Sequence, residues 1–397
     1  MIFCLTPLSL PLGSIDGKGM DLLFIDIISV PFLLYYVFFT KNKTNFELQI
    51  TLSIFFMVVT YFLMAIFSSF GGGTIIPILS AVKYVKPFLL IYTGFVLSRM
   101  VSLNAFWKAS YIAASVIAFS LLISLENGPG RWGDNIFGIE VNGFPNSAAQ
   151  YYIILFMFIV GFVFQEKRPI SFRFFDYFVI SIITLFMVFS LSRSAFVLIA
   201  LFLIALLVQS KVKTKIYFIV VMLISGLVYF NNTTVNSFNF SNGLEARYDR
   251  TFNKDDFSSG RLDIAANVLN LLEEKPMLGY KFSSFSNYNE KGHSTPHNQY
   301  LESLWKTGII GSLFYYLIII LLFSKIVKKY IIMNKKKYLV GSRFIVLHKY
   351  YYSLFIISFL LLMLGNFTQP NISYSQTGGV LMMLLGYLSQ LNLAERK

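Results

Sequence analysis

"ELQITLSIFFMVVTYFLMAIFS", Glu47 to Ser68, runs for 22 residues with one charged side chain, the glutamate at its start. A helix rises about 1.5 Å per residue and a bilayer's hydrocarbon core is about 30 Å thick, so roughly 20 apolar residues cross it. The stretch has that length and that character. It reads as a transmembrane helix, and it decides the fold class: an all-α integral membrane protein.

The pattern recurs along the chain. Eleven segments carry it: Asp21–Phe39, Glu47–Ser68, Ile76–Ser98, Ala105–Leu125, Ser147–Phe164, Phe174–Leu191, Ala195–Gln209, Ile216–Phe230, Leu301–Phe323, Tyr350–Gly365 and Gly378–Leu393. Composition agrees, with 56% hydrophobic and 13% charged residues, against about a quarter charged in soluble domains. The opening "MIFCLTPLSLPLG" is too short to span and has neither the basic start nor the cleavage site of a signal peptide; it is expected as a partial span or an interfacial segment. A polytopic bundle of 11 to 12 helices follows.

A net charge of +14 would suit nucleic acid if it formed one patch. Instead the basic residues fall in short clusters between apolar runs, which is how membrane topology is encoded. The loops holding "KNK", Arg99 and Lys108, "EKRPISFR", "KVKTK", the run Lys325–Lys349 and "ERK" contain 20 of the 33 lysines and arginines. The opposite loops "SSFGGGT", "ENGPGRWGDNIFGIEVNGFPN" and "NFTQPNISYSQTG" contain one, Arg131. The positive-inside rule then puts the first set, and the C-terminus, in the cytoplasm. Nucleic acid is not an expected partner. Cys4 is the single cysteine, so an intrachain disulfide and a cysteine-rich metal site are both excluded.

Organisation follows from one long connection. A bundle of spans occupies 1–230, an outer loop 231–300, and further spans 301–397, all forming one integrated membrane domain. The loop carries seven basic and eight acidic residues. Within it, "RLDIAANVLNLLEEKP" puts Leu262, Ala265, Leu269 and Leu272 on one helical stripe, with Asp263, Asn267, Asn270 and Glu274 opposite. Ser258 or Ser259 can cap this helix and Pro276 stops it. An amphipathic helix of this kind lies along the outer membrane surface or packs on the bundle mouth.

Chemistry-bearing residues gather on the outer side. In "SLSRSAF", Arg193 sits between two apolar segments, where a guanidinium must reach water, a headgroup or an anion; snorkelling to the interface is the alternative. In "SSGRLD", Ser259 and Gly260 precede Arg261 at a helix start, where backbone N–H groups and a guanidinium suit phosphate; pairing with Asp263 or Glu245 is the structural alternative. "HSTPHNQYLE" holds two of the three histidines. Pro296 sets His297 at the head of a span facing outer water, where an imidazole can take a proton from a hydroxyl. His293 lies in the more polar "EKGHST" and is the weaker base. No cysteine or third outer histidine joins them, so a zinc site is not expected. Asp255 and Asp256 read as solvated carboxylates. Asn146 and Ser147 suit a helix cap as well as a binding role. Lys83 and Lys86 fall in or beside the third span, facing a cavity or an interface.

"SGRLDIAANVLNLLEEKPMLGYKF", followed by "HNQYLESLWKTGIIGSLFYYL", resembles the shared region of the bacterial O-antigen ligase and O-antigen polymerase superfamily. The matching elements are Ser259–Gly260–Arg261, Pro276 with Gly279, and His297–Asn298 through Leu301 to Gly308 and Gly311. "LSRSAF" with Arg193 resembles another family element, and "GFPNSAAQYY" with Asn146 matches a third more loosely. The likeness covers about Gly143 to Leu317. It implies a glycosyltransferase that uses an oligosaccharide on undecaprenyl pyrophosphate, is metal- and cofactor-independent, and inverts the sugar configuration. It also implies a bacterial inner-membrane location with the long loop periplasmic, membrane lipid as a partner, and polysaccharide export or chain-length partners. In that frame His297 is the general base and Arg261 and Arg193 hold pyrophosphate, with Ser259, Gly260, Asn298, Asn146 and His293 lining the substrate.

Three functions are weighed. A polymerase joining carrier-linked repeat units leads, with a ligase moving polymer to the lipid A core as the alternative. A flippase for the same lipid-linked sugars belongs to another class; internal repeats would favour it, and none is visible.

Overall fold

The computed structural model describes residues 9–15, 18–72, 74–123, 145–163, 170–189, 193–209, 261–288, 295–336, 343–368, 372 and 375–391. The predicted span Ile216–Phe230, the whole of the loop before Arg261 with Asp255, Asp256, Ser258, Ser259 and Gly260, and His293 lie outside them. Ten of the eleven expected spans appear as helices. Among the described residues, four are long and apolar enough to cross a membrane: Asn45–Gly71, Ile76–Met100, Gln299–Lys335 and His348–Gly365. The all-α membrane class therefore holds.

One short exception precedes the helices. Strand β1 (Ser9–Ile15) pairs antiparallel with β2 (Lys18–Leu23), Ile15 opposite Lys18. Pro11 and Gly13 explain why this stretch is not a helix: one lacks a donor and the other pays for backbone freedom. Helix α1 accordingly begins at Phe24 rather than Asp21, running Phe24–Phe39.

The chain forms two compact units. The first takes α4 (Leu103–Ile123), α5 (Pro145–Val163), α6 (Ile170–Phe189), α7 (Arg193–Gln209) and α10 (Arg343–Gly365). Helix α5 is its core, buried on every side from Gln150 to Gly161. Trp107 of α4 lies against Gly161, where a Cβ would come within 2.2 Å of the indole nitrogen. Tyr111 donates a hydrogen bond to the buried carboxylate of Asp176.

The second unit takes α2 (Asn45–Gly72), α3 (Ile76–Met100), α8 (Arg261–Glu274), α9 (Gln299–Lys336) and α11 (Val380–Gln390), which follows a π-helical turn, Ser375–Gly379. Helix α11 is buried from Val380 to Ser389 against α3. Glycines allow that approach: a Cβ on Gly94 would sit 2.2 Å from the Met383 carbonyl oxygen, and one on Gly386 would sit 2.4 Å from that of Ile91. Small residues at helix contacts are the usual solution where lipid gives no hydrophobic drive between helices.

At one end of this unit Arg99, Lys325 and Lys329 secure helix ends. Thr44 and Glu47 form a reciprocal capping box: the Glu47 carboxylate accepts from the Thr44 N–H at 2.7 Å, and the Thr44 hydroxyl accepts from the Glu47 N–H at 3.2 Å. Arg99, at the end of α3, closes on the same buried carboxylate at 2.6 and 2.7 Å. Lys325 reaches Gln390 at 3.3 Å, and Lys329 donates to the last carbonyls of α11, 2.7 Å from Leu391. Loops grouped by charge in the sequence thus meet at one end.

Candidate functional site

Helix α8 buries Ile264, Val268 and Leu272, one residue per turn, in a cluster with Tyr280, Phe285 and Trp305. Of the expected apolar stripe only Leu272 joins this cluster. Leu262 and Leu269 are exposed, because the apolar arc is wider than one contact and the packed edge lies on its other side. Tyr280 stacks on Trp305 with ring centroids 4.0 Å apart. Its hydroxyl donates to the Leu271 carbonyl at 3.0 Å and to Glu274 at 3.2 Å. Burial pushes the Tyr280 phenol up from its ordinary pKa, and the Glu274 carboxylate adds to the shift.

Pro276 ends α8, as its lack of a donor requires, and the chain turns through Gly279 at φ +57° into α9. That turn docks into a break in α9 at Gly308, which has φ 61° and ψ −164°. Two loop N–H groups donate to α9 before the break: Tyr280 to Trp305 O at 2.7 Å and Phe282 to Lys306 O at 3.1 Å. Beyond it, the N–H groups of Ile309 and Ile310 donate to the carbonyls of Pro276 and Met277 at 2.9 and 3.2 Å. Every backbone group freed by the break named here is paired by the loop, as apolar surroundings demand. A Cβ on Gly279 would fall 2.6 Å from the Gly308 nitrogen, and one on Gly308 would fall 2.4 Å from the Met277 carbonyl. The two glycines are one joint. Read continuously, the predicted ninth span missed it.

The segment 299–307 ahead of the break carries the opening motif. Asn298 caps it, its side-chain oxygen accepting from the N–H groups of Tyr300 at 2.9 Å and Leu301 at 3.2 Å. His297 is half-buried and holds φ 53°, a left-handed conformation that costs a non-glycine residue about 1–3 kcal/mol. Lys281 and Phe282 share that region of backbone at φ 50° and 66°. Among the described residues, all five positive-φ positions surround this one helix segment.

Below His297 lies a polar network built on Gln299, Glu302, Lys306 and Tyr84. Gln299 donates from its amide to the Tyr84 hydroxyl at 3.0 Å, and its backbone N–H reaches Asn366 O at 2.9 Å. Glu302 is buried and pairs with Lys306 one turn on, whose ammonium sits 4.5 Å from the Tyr84 ring centroid. The second Glu302 oxygen is buried and meets no hydrogen-bond donor among the described residues. The Glu302–Lys306 spacing was legible as an i,i+4 pair. Tyr84, more than 200 positions away, was not.

The candidate residues divide between the units. Arg193 opens α7 and Asn146 stands in the first turn of α5, both in the first unit; Arg261, His297 and Asn298 belong to the second. Within the second, α8 and segment 299–307 both run toward Gly308. One apolar cluster joins them from Ile264, a turn into α8, to Leu301, a turn into α9. Their N-termini bear Arg261 and His297–Asn298, and each helix dipole favours an anion at its own N-terminus. Lys83 is exposed and Lys86 half-exposed on α3, flanking the buried Tyr84.

Residues 177–316 match the family described as O-antigen ligase. No curated protein matches the chain. The match runs from α6 into α9 and takes in Arg193, Arg261, His297 and the Gly279–Gly308 joint. Over these residues the chain is thus similar to the O-antigen ligase family.

Proposed function

We propose that the protein is a membrane glycosyltransferase acting on oligosaccharide linked to undecaprenyl pyrophosphate, and that it is a polymerase joining repeat units. The observation that carries this reading is the O-antigen ligase match across residues 177–316, which contains both arginines and His297. A glycosyl pyrophosphate is already activated. The enzyme has to deprotonate an acceptor hydroxyl and hold the departing diphosphate. In the proposed step His297 takes the hydroxyl proton, the acceptor oxygen bonds to the anomeric carbon from the face opposite the diphosphate, and the carbon–phosphate-oxygen bond breaks. The carrier pyrophosphate leaves with its electron pair.

Arg261 and Arg193 neutralise that leaving group, each charge-assisted contact contributing about 1.5–3 kcal/mol. His297 as base contributes about 10²–10⁴-fold. Arg261 at the head of α8 and Asn298 at the head of segment 299–307 each place a helix N-terminus where an anion is favoured, and the strained backbone at His297 supports a residue kept in place for its chemistry. His297→Ala or Arg261→Ala is expected to remove long-chain product with the protein still in the membrane; normal product from both would reject the assignment. Arg193→Ala should raise the donor concentration needed more than His293→Ala does.

The family's description favours a second reading, a ligase that transfers polymer to the lipid A core. Membranes supplied with carrier-linked single repeats, with and without core lipid, separate the two. Lengthening without core lipid identifies a polymerase; product formed only on core lipid identifies a ligase.

A further inference from the structure

Helix α8 has three flanks. The packed one holds Ile264, Val268 and Leu272. At 100° per residue, Asp263, Asn270 and Glu274 share a polar flank, and Leu262, Ala265 and Leu269 an apolar one between it and the core, edged by the exposed Glu273 about 20° beyond Leu262. Leu262 is 73% exposed and Leu269 52%.

Beyond α8 lies an exposed apolar row on a helix long and apolar enough to cross a membrane. Met277, 55% exposed, follows α8, and its carbonyl accepts from the Ile310 N–H. Ile309 next to it heads the exposed apolar row of α9, Ile309, Leu313, Leu317 and Ile320. Depth follows from the same helix. The 20 residues from Ile309 to Lys328 rise about 30 Å, the thickness of the hydrocarbon core. With Lys328 at one boundary, the Gly308 break lies at the other.

We infer that α8 lies in the membrane interface of the leaflet opposite Lys328, with Leu262, Leu269, Met277 and Leu278 inserted among lipid chains. Its polar flank faces water, and its third face holds segment 299–307 above the break. An interfacial helix of this type sinks its apolar side roughly 5–10 Å into the headgroup–acyl boundary. Arg261, the first residue of α8, then stands at the depth of lipid phosphates. That last consequence bears on donor binding only if the proposed function is right; the insertion itself does not depend on it.

The full chain carrying Cys4→Ser and one new cysteine, spin-labelled in phosphatidylethanolamine–phosphatidylglycerol vesicles, tests the inference by collision with oxygen and with a water-soluble nickel chelate. Labels at Leu262→Cys, Leu269→Cys and Leu278→Cys are expected to show an oxygen-to-nickel ratio severalfold above that of labels at Asp263→Cys and Asn270→Cys. Equal ratios on both flanks would place α8 in water. Protection of the leucine positions from both reagents would mean a protein surface covers them. Either result overturns the inference, and neither touches the transfer assay above.

Discussion

Glu302 and Lys306 show how much a single pair decides at this site. The carboxylate is buried and the ammonium nearly so, so each charge depends on the other, and removing one partner from such a pair typically costs about 3–5 kcal/mol. Glu302→Gln is expected to lower the melting temperature in detergent. Lys306→Met alone should do the same by stranding the carboxylate. The double variant should recover much of either loss, since the two effects are coupled. Strictly additive losses would show that the pair is not a unit. His297 is a different case: its left-handed backbone is held by Pro296 before it and the Asn298 cap after it. Strain of that kind, found at a residue suited to proton transfer, is what the proposed base would need.

For the elements, the decisive feature is the broken α9. Continuous, its 38 residues would run about 57 Å, longer than the whole bilayer with headgroups. The Gly308 break divides it into a spanning part and a short segment that presents His297. Gly308→Ala forces a Cβ into the Met277 backbone and a side chain onto a conformation open essentially to glycine. The expected outcome is release of the 276–282 turn, read as faster trypsin cleavage after Lys281. An unchanged cleavage pattern would mean that the joint does not hold the turn. Gly279→Ala should behave alike, because its Cβ would meet the Gly308 nitrogen and the Trp305 and Leu304 carbonyls across the same joint.

In the molecule as a whole, cation placement and helix direction agree. Arg99, Lys325 and Lys329 secure the ends of α2, α3 and α11 in the second unit, and the predicted cytoplasmic loops are the ones that contribute them. The orientation proposed from this is tested with a membrane-impermeant thiol reagent on intact cells. In a Cys4→Ser background, Asn287→Cys should label from outside, and Lys335→Cys only after permeabilisation. The reverse pattern would invert the topology and put the proposed site in the cytoplasm. Packing between α3 and α11 works at the same scale, through Gly94 and Gly386, and no local motif announced it.

Sequence alone determined the all-α membrane class, most span positions within a few residues, the side-by-side use of cations at one end, and α8 as an amphipathic helix. These follow from length, hydropathy and charge, which act on a segment without knowledge of its neighbours. It also supplied Pro276, Gly279, Gly308 and His297 as a set through family resemblance. What it did not reveal was why the glycines come as a pair, which edge of α8 packs, or that Tyr84 joins Glu302 and Lys306. Those depend on which backbone fills the break in α9 and which ring lies over which charge. Contacts between residues far apart in the chain arise only when the helices are assembled, and there tertiary structure alone decided.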